Sequence, residues 1–229
     1  SGRFMVNGVS FEMVRVEGGT FRMGATSEQE DEPDSDEKPV HSVKLNTFYI
    51  GKTEVTQALW QAVMGSNPSH FKGADLPVEC VSWNDCQEFI QKLNRLTGRN
   101  LRLPTEAEWE FACRGGNNSR GYKYSGSNNL GNVAWYDDNS DGKTHPVGTK
   151  APNELGIYDM SANVWEWCND WYADYTSNSQ TNPTGPQRGS YRVRRGGCWG
   201  NRNISCRSSF RANDRPTDRD DYLGLRLAL

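Results

Sequence analysis

Hydrophobic and polar side chains alternate through Met13, Val14, Arg15 and Val16, break at Gly18-Gly19, and resume at Phe21, a pattern that predicts a hairpin over residues 11 to 23. Strand character returns over residues 40 to 50. Three short helices are predicted next. The first covers residues 54 to 64 and stops at Gly65. The second opens on a capping box, Ser82-Trp83-Asn84-Asp85, and runs to about Leu96, where Thr97-Gly98 ends it. The third follows Pro104 with a second box, Thr105-Glu106-Ala107-Glu108, and ends near Cys113 ahead of Gly115-Gly116. In each box the hydroxyl and the acid satisfy amides that the first helical turn leaves open.

Periodicity then fades. Asn, Gly, Ser and Asp dominate residues 115 to 143, so strands there are short at best. So long an irregular region inside a compact domain implies functional loops or bracing by ions. Seven of the ten residues from Glu28 to Glu37 are acidic, which reads as a solvated loop.

Residues 158 to 167, YDMSANVWEW, gather two tryptophans, a tyrosine and a methionine around Glu166, with Asp159 seven positions earlier. A run this aromatic is largely buried, and a buried carboxylate needs a cation or hydrogen-bond donors beside it. Two partners fit: a nearby arginine, or a hard cation such as calcium held by carboxylate and carbonyl oxygens.

The 229 residues contain no linker-like stretch and predict one domain over 1 to 229. Only 34% are hydrophobic, yet there are 8 Trp, 9 Tyr and 8 Phe, so the core is expected to rest on a few large rings. A net charge of -3 argues against nucleic acid as a partner. Arginines crowd residues 188 to 226 among Asp214, Asp218, Asp220 and Asp221, which favours internal ion pairs over a polyanion site. The six cysteines form no C-x-x-C pair, which points away from zinc and thioredoxin chemistry and leaves disulfides or buried thiols. No apolar run approaches membrane-spanning length, and no signal peptide is present. Starting at Ser1-Gly2, the chain reads as trimmed. The expectation is an exported, cell-surface protein whose only membrane attachment would be a lost lipid anchor.

His41, His70 and His145 lack metal-ligand spacing, and neither a serine-hydrolase elbow nor a Walker loop is present. Cys198 follows Gly196-Gly197 and reads equally as an exposed thiol or a disulfide partner. Between Trp199 and Tyr222 small polar residues mix with rings and arginines, a composition that suits either a plain hydrophilic loop or a contact surface. The candidate ligand-binding residues are Trp199, Asn201, Asn203, Ser205, Phe210, Asn213, Asp214, Asp218, Asp220 and Tyr222.

Five motifs in order, LPTEAEWEFACRGG (103 to 116), THPVG (144 to 148), NELGIYDMSANVWEWC (153 to 168), RVRRGG (192 to 197) and LGLRLA (223 to 228), resemble the formylglycine-generating-enzyme, or sulfatase-modifying-factor, family. The resemblance starts at GGTFRMG (18 to 24) and spans nearly the whole chain. It implies an α+β, C-type-lectin-like fold with short helices, much irregular loop and structural calcium. The implied calcium ligands are the side chains of Asp159 and Glu166 and the carbonyls of Ala162 and Val164. A second implied site uses Asn132 and the carbonyl of Val133, completed by Asn139 or Asp141.

The oxidases of that family bind copper through two cysteines after the RGG turn. Here the first position is Asn201, and the resemblance makes Cys206 a structural cysteine that pairs with Cys113. No copper and no catalysis are therefore expected. The same fold serves the variable proteins of diversity-generating retroelements, which diversify a segment between an RGG-W start and an LGFR-like end. Gly196-Gly197-Cys198-Trp199 and Leu223-Gly224-Leu225-Arg226 occupy those places. The expectation is a non-catalytic protein that displays residues 198 to 222 to a protein or cell-surface ligand; the alternative is a copper oxidase using Cys198 and Cys206.

Overall fold

The computed structural model describes residues 2 to 29 and 33 to 229. Both capping boxes form. Ser82 Oγ accepts from the Asp85 amide at 3.0 Å while Asp85 accepts from the Ser82 amide at 2.9 Å, starting α2 (Trp83–Thr97). Thr105 and Glu108 exchange the equivalent bonds at the start of α3 (Glu106–Cys113). Helix α1 (Gln57–Met64) starts later than expected, at Gln57, with Thr56 as its cap. The reason is that the preceding residues enter the core: Val55 donates to the Leu225 carbonyl and accepts from the Val78 amide. A short α4 (Leu130–Val133) follows in the irregular region.

The predicted hairpin does not form. Strands β1 (Gly2–Val6), β2 (Val9–Val16) and β5 (Phe48–Gly51) make one sheet, in the order β1-β2-β5. Strand β3 (Gly19–Met23) pairs instead with β4 (His41–Leu45), which also carries β7 (Gln180–Thr181). Gly18 makes the change of sheet: its amide donates to Thr47 Oγ1 at 3.0 Å, and a Cβ there would lie 2.6 Å from the Leu45 carbonyl oxygen. The 40 to 50 stretch accordingly splits between β4 and β5.

A third sheet has the order β10-β6-β8-β9. Strand β6 (Trp165–Trp171) is antiparallel to β8 (Arg192–Arg195), which pairs with β9 (Arg211–Asp214), while β10 (Leu223–Leu225) runs parallel to β6. Gly224 is required there because a Cβ would lie 2.2 Å from the Val78 carbonyl oxygen. Large rings dominate the core as expected, with Trp109 and Trp167 fully enclosed.

Every residue of α3 is buried, including Glu106, Glu108 and Glu110. Helix α3 tolerates this because each acid meets a guanidinium: Glu106 binds Arg211, Glu110 binds Arg195 and Arg114, and Glu108 binds Arg102. Internal ion pairing is as the sequence suggested, but most partners of the late arginines are glutamates far back in the chain. Of the acidic run, Glu30, Asp31 and Glu32 lie outside the described residues. The rest is not a simple solvated loop, since buried Glu37 holds Arg207 through both oxygens at 2.8 Å and Glu28 holds Arg114 at 2.7 Å.

All six cysteines are free thiols. The Cys113 to Cys206 disulfide is not formed: Cys113 Sγ lies 3.4 Å from Ser208 Oγ, and Cys206 donates to the Arg202 carbonyl. Among the described residues no helix is long and apolar enough to cross a membrane.

Candidate functional site

Two groups of the residues singled out by sequence come together, one inside the frame and one on its surface. Inside, Glu166 projects from β6 with no exposure and accepts from Trp109 Nε1 and from Arg226 Nε, each at 2.9 Å. Arg226 Nη2 adds a third bond at 3.0 Å, and its remaining donors hold the carbonyls of Gly51 and Tyr158. The arginine reading of Glu166 is therefore the one this geometry displays.

Two further carboxylates lie close by without a cation of their own. Asp159 accepts from the Gly148 amide at 2.7 Å through Oδ2, while its buried Oδ1 has no hydrogen-bond partner. Glu54, 1% exposed, accepts from Asn163 Nδ2 at 3.0 Å and faces the Val164 amide. Burial, then the charges of Asp159 and Glu166, push Glu54 well above the usual carboxylate range; burial raises Asp159 to about 6. Three enclosed acids thus share one guanidinium. An orphaned acid oxygen beside surplus negative charge fits a divalent cation. Asp159 and Ala162 adopt left-handed φ values of 58° and 64°, which fold residues 159 to 164 back on themselves.

The other implied metal position is differently placed. Asn132 is exposed in α4, and its carbonyl accepts from the Ala151 amide; Val133 is buried. Asn139 uses both ends of its amide on the backbone at Tyr136 and Ala134. Among the described residues, the three acids whose oxygens lie within 4.8 Å of one another are Asp34, Asp36 and Glu37. Glu37 there is already held by Arg207 and Asp36 by the Tyr172 hydroxyl.

On the surface, none of the ten candidate ligand-binding residues is buried: Asn203 is exposed and the other nine partly so. Gly196 and Gly197, at φ 105° and 75°, turn the chain out of β8. A Cβ on Gly197 would lie 2.9 Å from Cys206 Sγ, so the segment after it folds back tightly. Trp199 sets its ring edge-on to Phe71 at 5.6 Å and donates to the Asp221 carbonyl. Asn201 accepts from the Cys198 amide, Asn203 from the Ile204 amide and Asp218 from the Arg215 amide. Ser205 closes a turn on the Arg202 carbonyl.

Two of these residues, Asp214 and Tyr222, meet a side chain that sequence reasoning missed. Arg194 lies 4.3 Å over the Trp165 ring and 5.6 Å from that of Tyr222, and pairs with Asp214 at 2.6 Å. Phe210 packs against Trp165 at 6.1 Å, and Asn213 stands opposite Val193 on β9. Burial, and then the charge of Asp220 beside the hydroxyl, raise the Tyr222 phenol to about 12. A cleft of about 630 Å³ adjoins, lined by Tyr124, Tyr136, Asp137, Asp138, Arg202 and Asn203 among others. The missed signal was the alternation in RVRR, which buries Val193 and Arg195 and leaves Arg192 and Arg194 only partly buried on the other face.

The sulfatase-modifying factor enzyme 1-like domain model matches residues 6 to 229, and the chain belongs to that family. Its fold is the C-type-lectin-like fold of the formylglycine-generating-enzyme type. It is 36% identical to the chaperone protein LppX of Paenibacillus barcinonensis, over 83% of this chain and 79% of that protein. Identity to the formylglycine-generating enzyme of Streptomyces coelicolor is 30%, over 94% of this chain and 88% of the enzyme. Among solved structures, Treponema denticola variable protein 1 superposes with a TM-score of 0.88 at 37% identity, covering 99% of this chain and 98% of that one.

Proposed function

We infer that this chain is a non-catalytic ligand-binding protein: a single domain presenting residues 198 to 222, diversified between its two flanking motifs, to a protein or cell-surface ligand. The observation that carries this reading is the contrast in burial. All ten candidate residues keep solvent access, while Val193, Arg195, Leu223 and Leu225 on the flanking strands are enclosed. Changes at accessible positions usually alter stability by less than about 0.5 kcal/mol, so such a surface can vary while its frame persists. The likeness to Treponema denticola variable protein 1 supports it. Export to the cell surface belongs to the same proposal.

Three features of the thiols speak against oxidase turnover. Asn201 stands where the family's first copper cysteine is expected. Cys198 and Cys206 are both buried, and burial raises the Cys198 thiol to about 11 and that of Cys206 further still. Copper ligation needs the thiolate, which burial of this kind disfavours. Calcium is the bracing ion we assign, held by Asp159, Glu54 and the carbonyls of Ala162 and Val164. Glu166, expected from the resemblance as a ligand, has both oxygens taken by Arg226 and would add only its charge, and the bound ion would supply charge neutralisation only. The assignment stops at that site, because Asn139 beside Asn132 is already bonded at both ends.

The test is genetic and chemical. A reverse-transcriptase gene close by, with a near-copy of the codons for residues 198 to 226, is expected. Its absence together with stoichiometric copper(I) binding that disappears in Cys198→Ser or Cys206→Ser would overturn the proposal in favour of the oxidase.

A further inference from the structure

The cleft of about 630 Å³ beside Asn203 has a floor and a rim of different chemistry. Its floor is built from buried Tyr124 and Leu130, which pack with Val133, Ala134, Ala162 and Cys206. Tyr136 lies against that cluster while remaining partly exposed. Local hydrogen bonds hold this tyrosine in place: its amide donates to Asn139 Oδ1 at 2.9 Å, and its carbonyl accepts from the Ser140 amide at 2.8 Å. The Asp137 amide donates to the Asn201 carbonyl at 3.1 Å, which ties this wall to the display segment.

The rim carries hydrogen-bonding groups of both kinds. Asn128, Asn129 and Asn203 each commit the side-chain oxygen to a backbone amide, those of Lys123, Gly131 and Ile204, at 2.9, 3.1 and 3.0 Å. Their N–H donors are the ends left over. Asn203 donates to the Tyr124 hydroxyl, while the amide nitrogens of Asn128 and Asn129 have no partner among the described residues. Asp137 and Asp138 supply acceptors, and Asp138 also takes the Tyr136 hydroxyl. One guanidinium, that of Arg202, shares the rim with these two carboxylates, and all three are exposed. Water and salt screen charges so placed, and an exposed ion pair contributes at most about 1 kcal/mol. A strongly ionic ligand of either sign therefore gains little here. Mixed donors and acceptors around a ring match hydroxyl groups instead, because each hydroxyl both donates and accepts. The volume lies in the range of small-molecule sites.

We propose that the cleft binds a neutral saccharide: the C–H face of one pyranose ring lies on Tyr136, while its hydroxyls donate to Asp137 and Asp138 and accept from Asn128, Asn129 and Arg202. A tyrosine suits that place because it presents an apolar body and a polar tip. Asn203 is the one candidate display residue in the lining, so the cleft supplies a ligand class to the proposed display surface and rests on that function there alone.

The test applies the whole chain to an array of immobilised glucosides, galactosides, mannosides, fucosides and N-acetylhexosaminides, with sialosides as an anionic control, and titrates the best binder by calorimetry. Binding to a neutral sugar is expected, with affinity changing less than about twofold between about 0.05 and about 0.5 M salt. Asp138→Ala, a change on an exposed side chain, should weaken it at least about tenfold. Tyr136→Leu keeps apolar bulk without the ring and should cost about fivefold, with a thermal melt to show that the variant folds. Asn213→Ala, on β9 and outside the lining, should bind as the parent does. No neutral sugar bound, capture of sialosides alone, or unchanged affinity in Asp138→Ala would each overturn the proposal. Loss in Asn213→Ala with Asp138→Ala unaffected would also overturn it, moving the ligand to β9 and leaving the display function intact. Saccharide binding without a copy of the codons for residues 198 to 226 would leave the cleft standing and remove diversification alone.

Discussion

Arg226, the residue after β10, reaches Glu166 on the neighbouring parallel strand β6, with Nε 2.9 Å from Oε1 and neither side chain exposed. Removing one partner leaves the other enclosed without compensation. Arg226→Met is expected to cost about 3 to 5 kcal/mol, because Glu166 then faces Glu54 and Asp159 with no guanidinium between them. Urea denaturation measures this. The double variant with Glu166→Gln should be less destabilised than the sum of the single changes.

Calcium is expected to raise the melting temperature of chelator-treated protein. At a free concentration near one hundred times Kd the gain is about 2.7 kcal/mol. Asp159→Asn should abolish the response, since it removes one charge and replaces one oxygen with an amide. A calcium response unchanged in that variant would move the ion elsewhere.

Two glycines offer a contrast. A methyl group on Gly224 would strike the Val78 carbonyl oxygen at 2.2 Å, so Gly224→Ala should cost about 2 kcal/mol or more and lower Tm accordingly. Gly200 has nothing within 4 Å of its added Cβ, and Gly200→Ala should stay within about 0.5 kcal/mol of the parent.

Asp170 gives the protein a pH signature. Burial, and then the charge of Glu106, hold its carboxyl at about 7 when folded, above the ordinary value, so the folded state binds the proton more tightly than the unfolded chain does. Stability from this group is greatest at low pH and falls as pH rises from about 4 to about 7, by at most about 1.4 kcal/mol per unit. Asp170→Asn removes that slope. Its stability relative to the parent should therefore grow across the same window in urea titrations, and a constant difference would contradict the assignment.

Local signals were legible in sequence and long-range ones were not. The caps of α2 and α3 need only residues three apart, and both appear where Ser82 and Thr105 placed them. The misread hairpin shows the other side: β2 and β3 each have the right alternation, but the choice of sheet is made by β5 and β4, later in the chain. Glu166 called for a charge partner in sequence, yet Arg226 lies 60 positions away and only the fold brings it close. Glu54 gave no signal, since an acid ahead of a helix is ordinarily solvated. The solvent access of the ten candidate residues between 199 and 222 agrees with their composition, whereas the burial of Cys206, Arg207, Ser208, Ser209 and Arg211 among them, and the place of Arg194, depend on long-range pairing that composition does not encode.

Helix α3, wholly enclosed, has consequences for biosynthesis. Glu108 has Arg102 close by in sequence, but Glu106 meets Arg211 and Glu110 completes its pairing with Arg195 only after most of the polypeptide has emerged from the ribosome. A nascent chain halted between these segments would present an apolar helix and unmatched glutamates to the cell, a substrate for holdase chaperones. Folding of this region therefore waits on late translation.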